Sequence, residues 1–284
     1  GSEMCIRDRV GGGRFQEYDQ YAGKGRPFHA NTDSNGQKFV PRAGLVYRYT
    51  DQLSFYGSYT ESFKPNSSIA QLAGGSVVLD GSIAPEEAKS WELGAKLDIP
   101  GRITASAALF DITKRNVLVT TATASETVTS VAGEVHSQGL ELDLTGQLTD
   151  QWSLIGSYAY TDAEVTKDTQ YKGKQLQNVA KNTGSLSAVY DFGSLIGGDR
   201  LRVGAGARYV GERAGDAPNS FDLPGYTVAD AFATYDTKVE GQKVKFQLNV
   251  KNLFDKTYYT SSVSKYFVSL GDARQVSLSS TLEF

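Results

Sequence analysis

Apolar and polar residues alternate with a period of two along most of the chain. Val244, Phe246, Leu248 and Val250 interleave with Lys243, Lys245, Gln247, Asn249 and Lys251. Leu201, Val203, Ala205, Ala207 and Tyr209 do the same with Arg200, Arg202, Gly204, Gly206 and Arg208, as do Trp91, Leu93, Ala95 and Leu97 with Glu92, Gly94, Lys96 and Asp98. Side chains of a strand point alternately to its two faces, so each run makes a strand with one apolar and one polar face. Alternation is what separates such antiparallel strands from the continuous apolar runs of a parallel sheet. The pattern predicts about twelve strands, near 11–19, 39–50, 53–63, 89–98, 103–119, 134–147, 152–166, 182–191, 200–213, 226–236, 243–253 and 274–284. It is poor in 103–119 and 226–236, where the faces are not assignable. No helical period competes.

The links between these runs alternate in length. Short turns fall at 51–52, 99–102, 148–151, 192–199 and 237–242, and long polar links at 20–38, 64–88, 120–133, 167–181, 214–225 and 254–273. In an antiparallel meander, alternate links lie at opposite ends of the strands. A membrane barrel carries tight turns on one rim and long loops on the other, whereas a soluble sandwich has no such parity. The last residues, Val276 to Phe284, alternate and end on an aromatic ring. This form resembles the terminal strand by which outer-membrane proteins are recognised for insertion.

Composition narrows the class. Hydrophobic residues are 39% of the 284, and no stretch approaches the ~20 apolar residues of a membrane helix. A barrel strand needs only alternate apolar positions. The net charge of −3, with no basic stripe, argues against nucleic acid. Cys5 is the one cysteine, and His29 and His136 are the two histidines, so neither a disulfide nor a multi-histidine metal site is expected. Residues 1–9 (GSEMCIRDR) lack alternation and are expected to be a non-native or disordered leader, with 10–284 as the barrel segment.

Several segments in order resemble TonB-dependent siderophore receptors: Tyr59-Thr-Glu-Ser-Phe-Lys-Pro65, Pro85 to Lys96, Phe110 to Val117, Gly133 to Glu141, Asn249-Val-Lys-Asn-Leu-Phe-Asp255 with Lys256-Thr-Tyr-Tyr259, and Gly271 to Val276. The resemblance covers roughly 39–284. It implies an all-β, antiparallel outer-membrane barrel whose complete form has about 22 strands around an N-terminal plug. About twelve strands and no plug then imply a C-terminal fragment, and about twelve strands should form an open sheet with 11–19 and 274–284 as free edges. Some motif residues have structural readings. Asn249 and Asn252 flank a strand-to-loop step, where Asn bonds its own backbone. Glu92, Lys96, Glu141 and Lys243 belong on the lumenal face, while Phe284 joins Val244, Leu278 and Leu282 on the lipid face.

What the resemblance implies is active import rather than catalysis: uptake of a ferric siderophore, driven by TonB–ExbB–ExbD through the plug, by a monomer in the outer membrane of a Gram-negative bacterium. No cofactor and no catalytic or metal-ligating set is expected. Recognition concentrates on loops of a rigid scaffold, and the candidate ligand contacts are the loop aromatics Tyr171, Phe221, Tyr258, Tyr259, Tyr266 and Phe267. The alternatives are a related receptor for cobalamin, haem or a glycan, a self-contained porin, a barrel enzyme, and a soluble all-β binding protein. Haem would need an axial ligand, and an enzyme a nucleophile with a base. His29 and His136 sit in no motif for either.

Overall fold

The computed structural model describes residues 7–24, 26–27, 29–65, 84–122, 127–168 and 170–283. Its strands are β1 (Arg7–Lys24), β2 (His29–Arg48), β3 (Leu53–Lys64), β4 (Glu86–Ile99), β5 (Ile103–Ala122), β6 (Thr127–Gln147), β7 (Trp152–Lys167), β8 (Asn182–Ser194), β9 (Arg200–Val210), β10 (Arg213–Ala214), β11 (Asp222–Leu223), β12 (Tyr226–Val239), β13 (Gln242–Lys251), β14 (Tyr259–Ser264), β15 (Phe267–Leu270) and β16 (Gln275–Glu283). Twelve of them form one antiparallel sheet, in the order β1-β2-β3-β4-β5-β6-β7-β8-β9-β12-β13-β16. Every window expected from alternation is a strand of it. β10–β11 and β14–β15 are small separate hairpins inside long connections. Among the described residues the sheet is open: β1 pairs only with β2, and β16 only with β13.

Register carries apolar residues from strand to strand. One row runs Leu45–Gly57–Leu93–Leu109–Leu140–Tyr160 across β2 to β7. Another runs Tyr190–Val203–Ala233–Leu248–Leu278 across β8 to β16. The opposite face carries Ser54–Lys96–Ser106–Asp143–Ser157–Ser185–Arg208. Glu92, Glu141, Lys243, Lys245 and Lys251 share that polar face, while Val244, Phe246, Leu282 and Val250 lie on the apolar one. Phe284 lies outside the described residues. The apolar face is bare, with Trp91, Leu93, Leu109, Leu186 and Leu278 all exposed. A continuous apolar face of this extent far exceeds the patches that soluble monomers tolerate.

Aromatic residues flank this band. Tyr59 stacks on Trp91 (4.4 Å) towards the long connections, and Trp152 on Tyr190 (4.9 Å) beside the short turns. Along β7, Trp152 and Tyr160 are separated by about 27 Å of strand, close to the roughly 25 Å apolar band of a membrane barrel. The two poorly alternating strands now have an explanation. β5 and β12 place small Ala105, Ala107, Ala231 and Ala233 on the apolar face and large Phe110 and Phe232 on the polar one. Phe232 lies over Gly204, where a Cβ would come within 2.3 Å of its ring.

The short turns at 51–52, 99–102, 148–151, 192–199 and 237–242 lie on one rim, and the other connections on the opposite one, as the antiparallel order requires. The last turn tightens to Glu240-Gly241, with φ of 51° and 82°, the left-handed pair of a two-residue hairpin. Two expected long loops are largely strand instead. β1 and β2 continue to Lys24 and from His29, and β5 and β6 continue to Ala122 and from Thr127. About 9–11 residues cross a bilayer, so strands of 20 and 21 residues extend past it. Beyond the bilayer no lipid faces a strand, so nothing requires alternation while backbone pairing persists. Within the expected leader, Arg7 to Arg9 pair with Tyr47 to Leu45, and 1–6 lie outside the described residues. No described helix is long and apolar enough to cross a membrane, which does not bear on crossing by strands.

Candidate functional site: the long-connection rim and the polar wall below it

Three long connections, 168–181, 211–225 and 252–274, meet above the polar face of β7 to β16. Their floor is apolar. Tyr226 and Val228 of β12 are buried, and the Tyr258 ring packs on Tyr226 at 4.6 Å. Gly271 lies beneath Tyr258, because a Cβ there would fall 2.1 Å from the ring, and its N–H donates to the Tyr258 carbonyl (2.8 Å). This floor turns the 252–274 connection inwards over the polar face.

Asn252 closes the base of that connection. It is 3% exposed and left-handed (φ 48°). Its Nδ2 donates to the carbonyls of Lys256 (2.9 Å) and Asp272 (3.0 Å), and its Oδ1 accepts the Lys256 N–H (2.9 Å). Asp255 accepts the N–H of Arg274 at 2.8 Å. The structural reading of Asn252 therefore holds. Asn249 instead accepts from Gln247 (2.9 Å) and reaches Ser277 (3.5 Å) across the polar face.

Polar side chains bind the three connections to one another. Gln177 Nε2 donates to the carbonyls of Gly215 (2.9 Å), Ser262 (2.8 Å) and Val263 (3.2 Å). Asn178 exchanges two bonds with the Ser262 backbone, at 2.8 and 2.9 Å, and its own N–H donates to Ala214 (2.9 Å). The buried Ser262 hydroxyl donates to Gly215. Asn219 does the same for Gln175, giving to its carbonyl (3.0 Å) and taking its N–H (2.8 Å). Arg213 is 3% exposed. Its Nη2 donates to the carbonyls of Tyr259 (2.7 Å) and Thr260 (2.9 Å), and its guanidinium lies 5.6 Å from the Tyr226 ring centre. Among the described residues it has no ion-pair partner, and Nη1 is buried without an acceptor.

The six candidate contacts occupy different places in this assembly. Tyr266 (78% exposed) and Phe267 (72%) stand at the tip of the β14–β15 hairpin, with Lys265 Nζ 5.2 Å above the Tyr266 ring. Tyr259 stands at its base, where Arg213 holds its carbonyl. Tyr258 is buried in the floor. Phe221 lies half-buried across Gly215. Tyr171 is half-buried in a turn, its N–H donating to Asp168 at 2.7 Å. The residues that gather these connections, Gln177, Asn178, Arg213, Asn219 and Ser262, were not among the six. Polar residues in a loop look solvent-facing until their distant partners are known. The left-handed Asn178 (φ 63°) and Asn219 (φ 54°) belong to a residue type favoured there, which is a faint signal.

Below the floor, the polar face holds a depression of about 360 Å³ lined by Ser185, Ser187, Arg208, Asp230, Phe232 and Lys251, among others. A wider groove of about 940 Å³, lined by Leu45, Tyr59, Trp91 and Leu93 among others, lies mainly on the apolar face, away from the rim. Among the described residues no cluster of three or more His, Cys, Asp or Glu could hold a metal. His136 pairs with Asp111 (2.8 Å) on a strand, and the His29 side chain is outside what is described. The arrangement suits capture of a molecule at a rim and its passage along a polar wall.

The family model described as TonB dependent receptor-like, beta-barrel, matches residues 10–253. A metal-pseudopaline receptor, CntO, of Pseudomonas aeruginosa is 39% identical over 283 residues, which are 96% of this chain and 38% of that protein. The ferrichrome outer membrane transporter/phage receptor of Escherichia coli is 36% identical over 279 residues, 96% of this chain and 36% of its own length. The crystal structure of the siderophore receptor PiuA of Acinetobacter baumannii matches with a TM-score of 0.78 at 27% identity, covering 97% of this chain and 40% of that one. The chain thus spans well under half of each relative.

Proposed function

The chain belongs to the TonB-dependent receptor β-barrel family, and from that premise we propose that it is the C-terminal wall of a receptor that imports a ferric siderophore. The family is one of outer-membrane transport receptors of Gram-negative bacteria rather than enzymes. In this reading the apolar register rows face lipid. The polar rows line a lumen completed by about ten further strands and a plug, both N-terminal to the chain. TonB, with ExbB and ExbD, would act through that plug on a monomer. Of residues 1–9, Arg7 to Arg9 would extend β1 past the expected leader boundary, and the barrel itself would need no bound cofactor.

The observation that carries the reading is the latched rim above a polar wall, in a chain similar to ferrichrome and PiuA receptors. Tyr266 and Phe267 would pack on the organic face of the chelate, with Tyr171, Phe221 and Tyr259 behind them and Tyr258 holding the floor. The test is uptake of labelled ferric hydroxamate and catecholate complexes by cells carrying the complete receptor, with and without TonB. Uptake of at least one complex that stops without TonB is expected. Diffusive entry regardless of TonB would overturn it in favour of a porin.

A second reading has its own support in the 39% identity to a metal-pseudopaline receptor. The chelate would then be of that kind. Uptake of a metal on pseudopaline, with every ferric siderophore excluded, would select it.

A further inference from the structure

All but one of the bonds named among the three long connections join a side chain of one connection to the backbone of another, the exception being the Asn178 N–H on the Ala214 carbonyl. Gln177 to Val263 spans 86 residues, Asn178 to Ser262 spans 84, and Arg213 to Thr260 spans 47. A backbone carbonyl that loses a buried donor is left without a partner, which costs more than the bond contributed. If the 252–274 connection lifted alone, Arg213 would lose both acceptors while its charge stayed buried over Tyr226. Among the described residues Nη1 already lacks an acceptor, so the whole outer end of the guanidinium would then be unpaired by protein. If 168–181 lifted alone, the Gly215 and Ser262 carbonyls would lose Gln177, and Ser262 would lose Asn178 as well. Partial opening therefore strands more polar groups than opening together does.

We propose that connections 168–181, 211–225 and 252–274 move as one body, latched by Arg213, Gln177, Asn178 and Ser262. The rim over β7 to β16 then opens and closes as a unit, carrying the exposed β14–β15 tip with it. This goes beyond the uptake reading and does not depend on the identity of the chelate. The latch residues are positioning residues, since each acts on the backbone of a neighbouring connection.

Hydrogen exchange on the complete receptor in detergent micelles, read by mass spectrometry, tests the latch. Arg213→Lys keeps the charge but loses the planar guanidinium whose Nη2 reaches two carbonyls. Ser262→Ala removes only a hydroxyl. Either variant is expected to speed exchange by about tenfold to a hundredfold in all three connections together. β8, β9, β12 and β13 should keep wild-type protection. A purely structural role would loosen those strands too. Faster exchange confined to the connection that carries the substitution, or unchanged exchange, overturns the proposal. If Arg213→Lys does not fold, Ser262→Ala decides alone.

Discussion

On the rim of short turns, the 51–52 and 148–151 turns are each closed by a threonine beside or within them. Thr50 Oγ1 accepts the N–H groups of Gln52 (3.2 Å) and Leu53 (2.9 Å), and Thr149 Oγ1 those of Gln151 (3.2 Å) and Trp152 (3.0 Å). On the rim of long connections, closure comes from afar, through Gln177, Asn178, Arg213, Asn219 and Ser262 acting on backbone 38 to 86 residues away. A local turn stores its stability in one place and fails alone. A cross-latched rim spreads it over three segments, so damage at one site is felt at the others. The first design suits a rim that only returns the chain, and the second a rim that must hold a shape around a ligand.

The sharpest way to break this contrast is Asn252→Ala. Three side-chain bonds at the base of the 252–274 connection disappear, and a left-handed φ is imposed on alanine. At about 1 kcal/mol per buried bond and a further 1 kcal/mol or so for the backbone, the expected loss is about 3–4 kcal/mol. Limited proteolysis should show rapid cleavage within 252–274 and slower loosening of 168–181, with the short turns intact. Cleavage at the short turns first would undo the contrast.

Gly271→Ala is the next step down. The added Cβ would meet the Tyr258 ring at 2.1 Å, and overpacking of this kind costs about 1–3 kcal/mol. Adding Tyr258→Ala should recover part of the loss in a double-mutant cycle on urea unfolding, because the ring is what the methyl group strikes. Strict additivity would mean that the glycine serves some other purpose.

The same contrast explains what the sequence made legible. Period-two runs locate all twelve strands of the sheet, because lipid on one side and polar contacts on the other leave their mark at every second residue. The mark fades where that asymmetry ends, which is why 20–38 and 120–133 read as loops though most of each is strand. It also fades where alanines face lipid and Phe110 or Phe232 faces the polar side. At the rim, Asn252 is readable because an Asn at a strand end bonds four residues ahead. Arg213 is not, since nothing near it in sequence hints that Tyr259 and Thr260 will supply its acceptors. Aromatic character alone could not separate the buried Tyr258 from the exposed Tyr266.

Thr149→Ala probes the local rim. Its hydroxyl serves two exposed N–H groups that water can take over, so the expected cost is about 0.5–1 kcal/mol. Faster exchange should stay within 148–152 and leave both neighbouring turns and every long connection unchanged. An effect reaching the 192–199 turn would show that the short rim is coupled after all.

The smallest effect separates the rims by pH. Asp199, in the turn between β8 and β9, accepts hydrogen bonds from the hydroxyls of Tyr235 and Thr237, the latter at 2.7 Å. The Tyr235 bond, then the Thr237 bond, hold its carboxyl below the usual range. A carboxylate whose folded pKa is depressed contributes stability that is present in full above its unfolded value, about 3.9. That stability fades as pH falls through the folded value. Acidification below about pH 4 should therefore loosen the 192–199 turn, read as faster exchange there after correction for intrinsic rates. Asp199→Asn should flatten that dependence. The Gln177–Asn178–Ser262 contacts carry no titrating group, so exchange at those residues should stay level over the same interval. If both rims loosened in parallel and Asp199→Asn changed neither, the acid sensitivity would belong to the sheet as a whole.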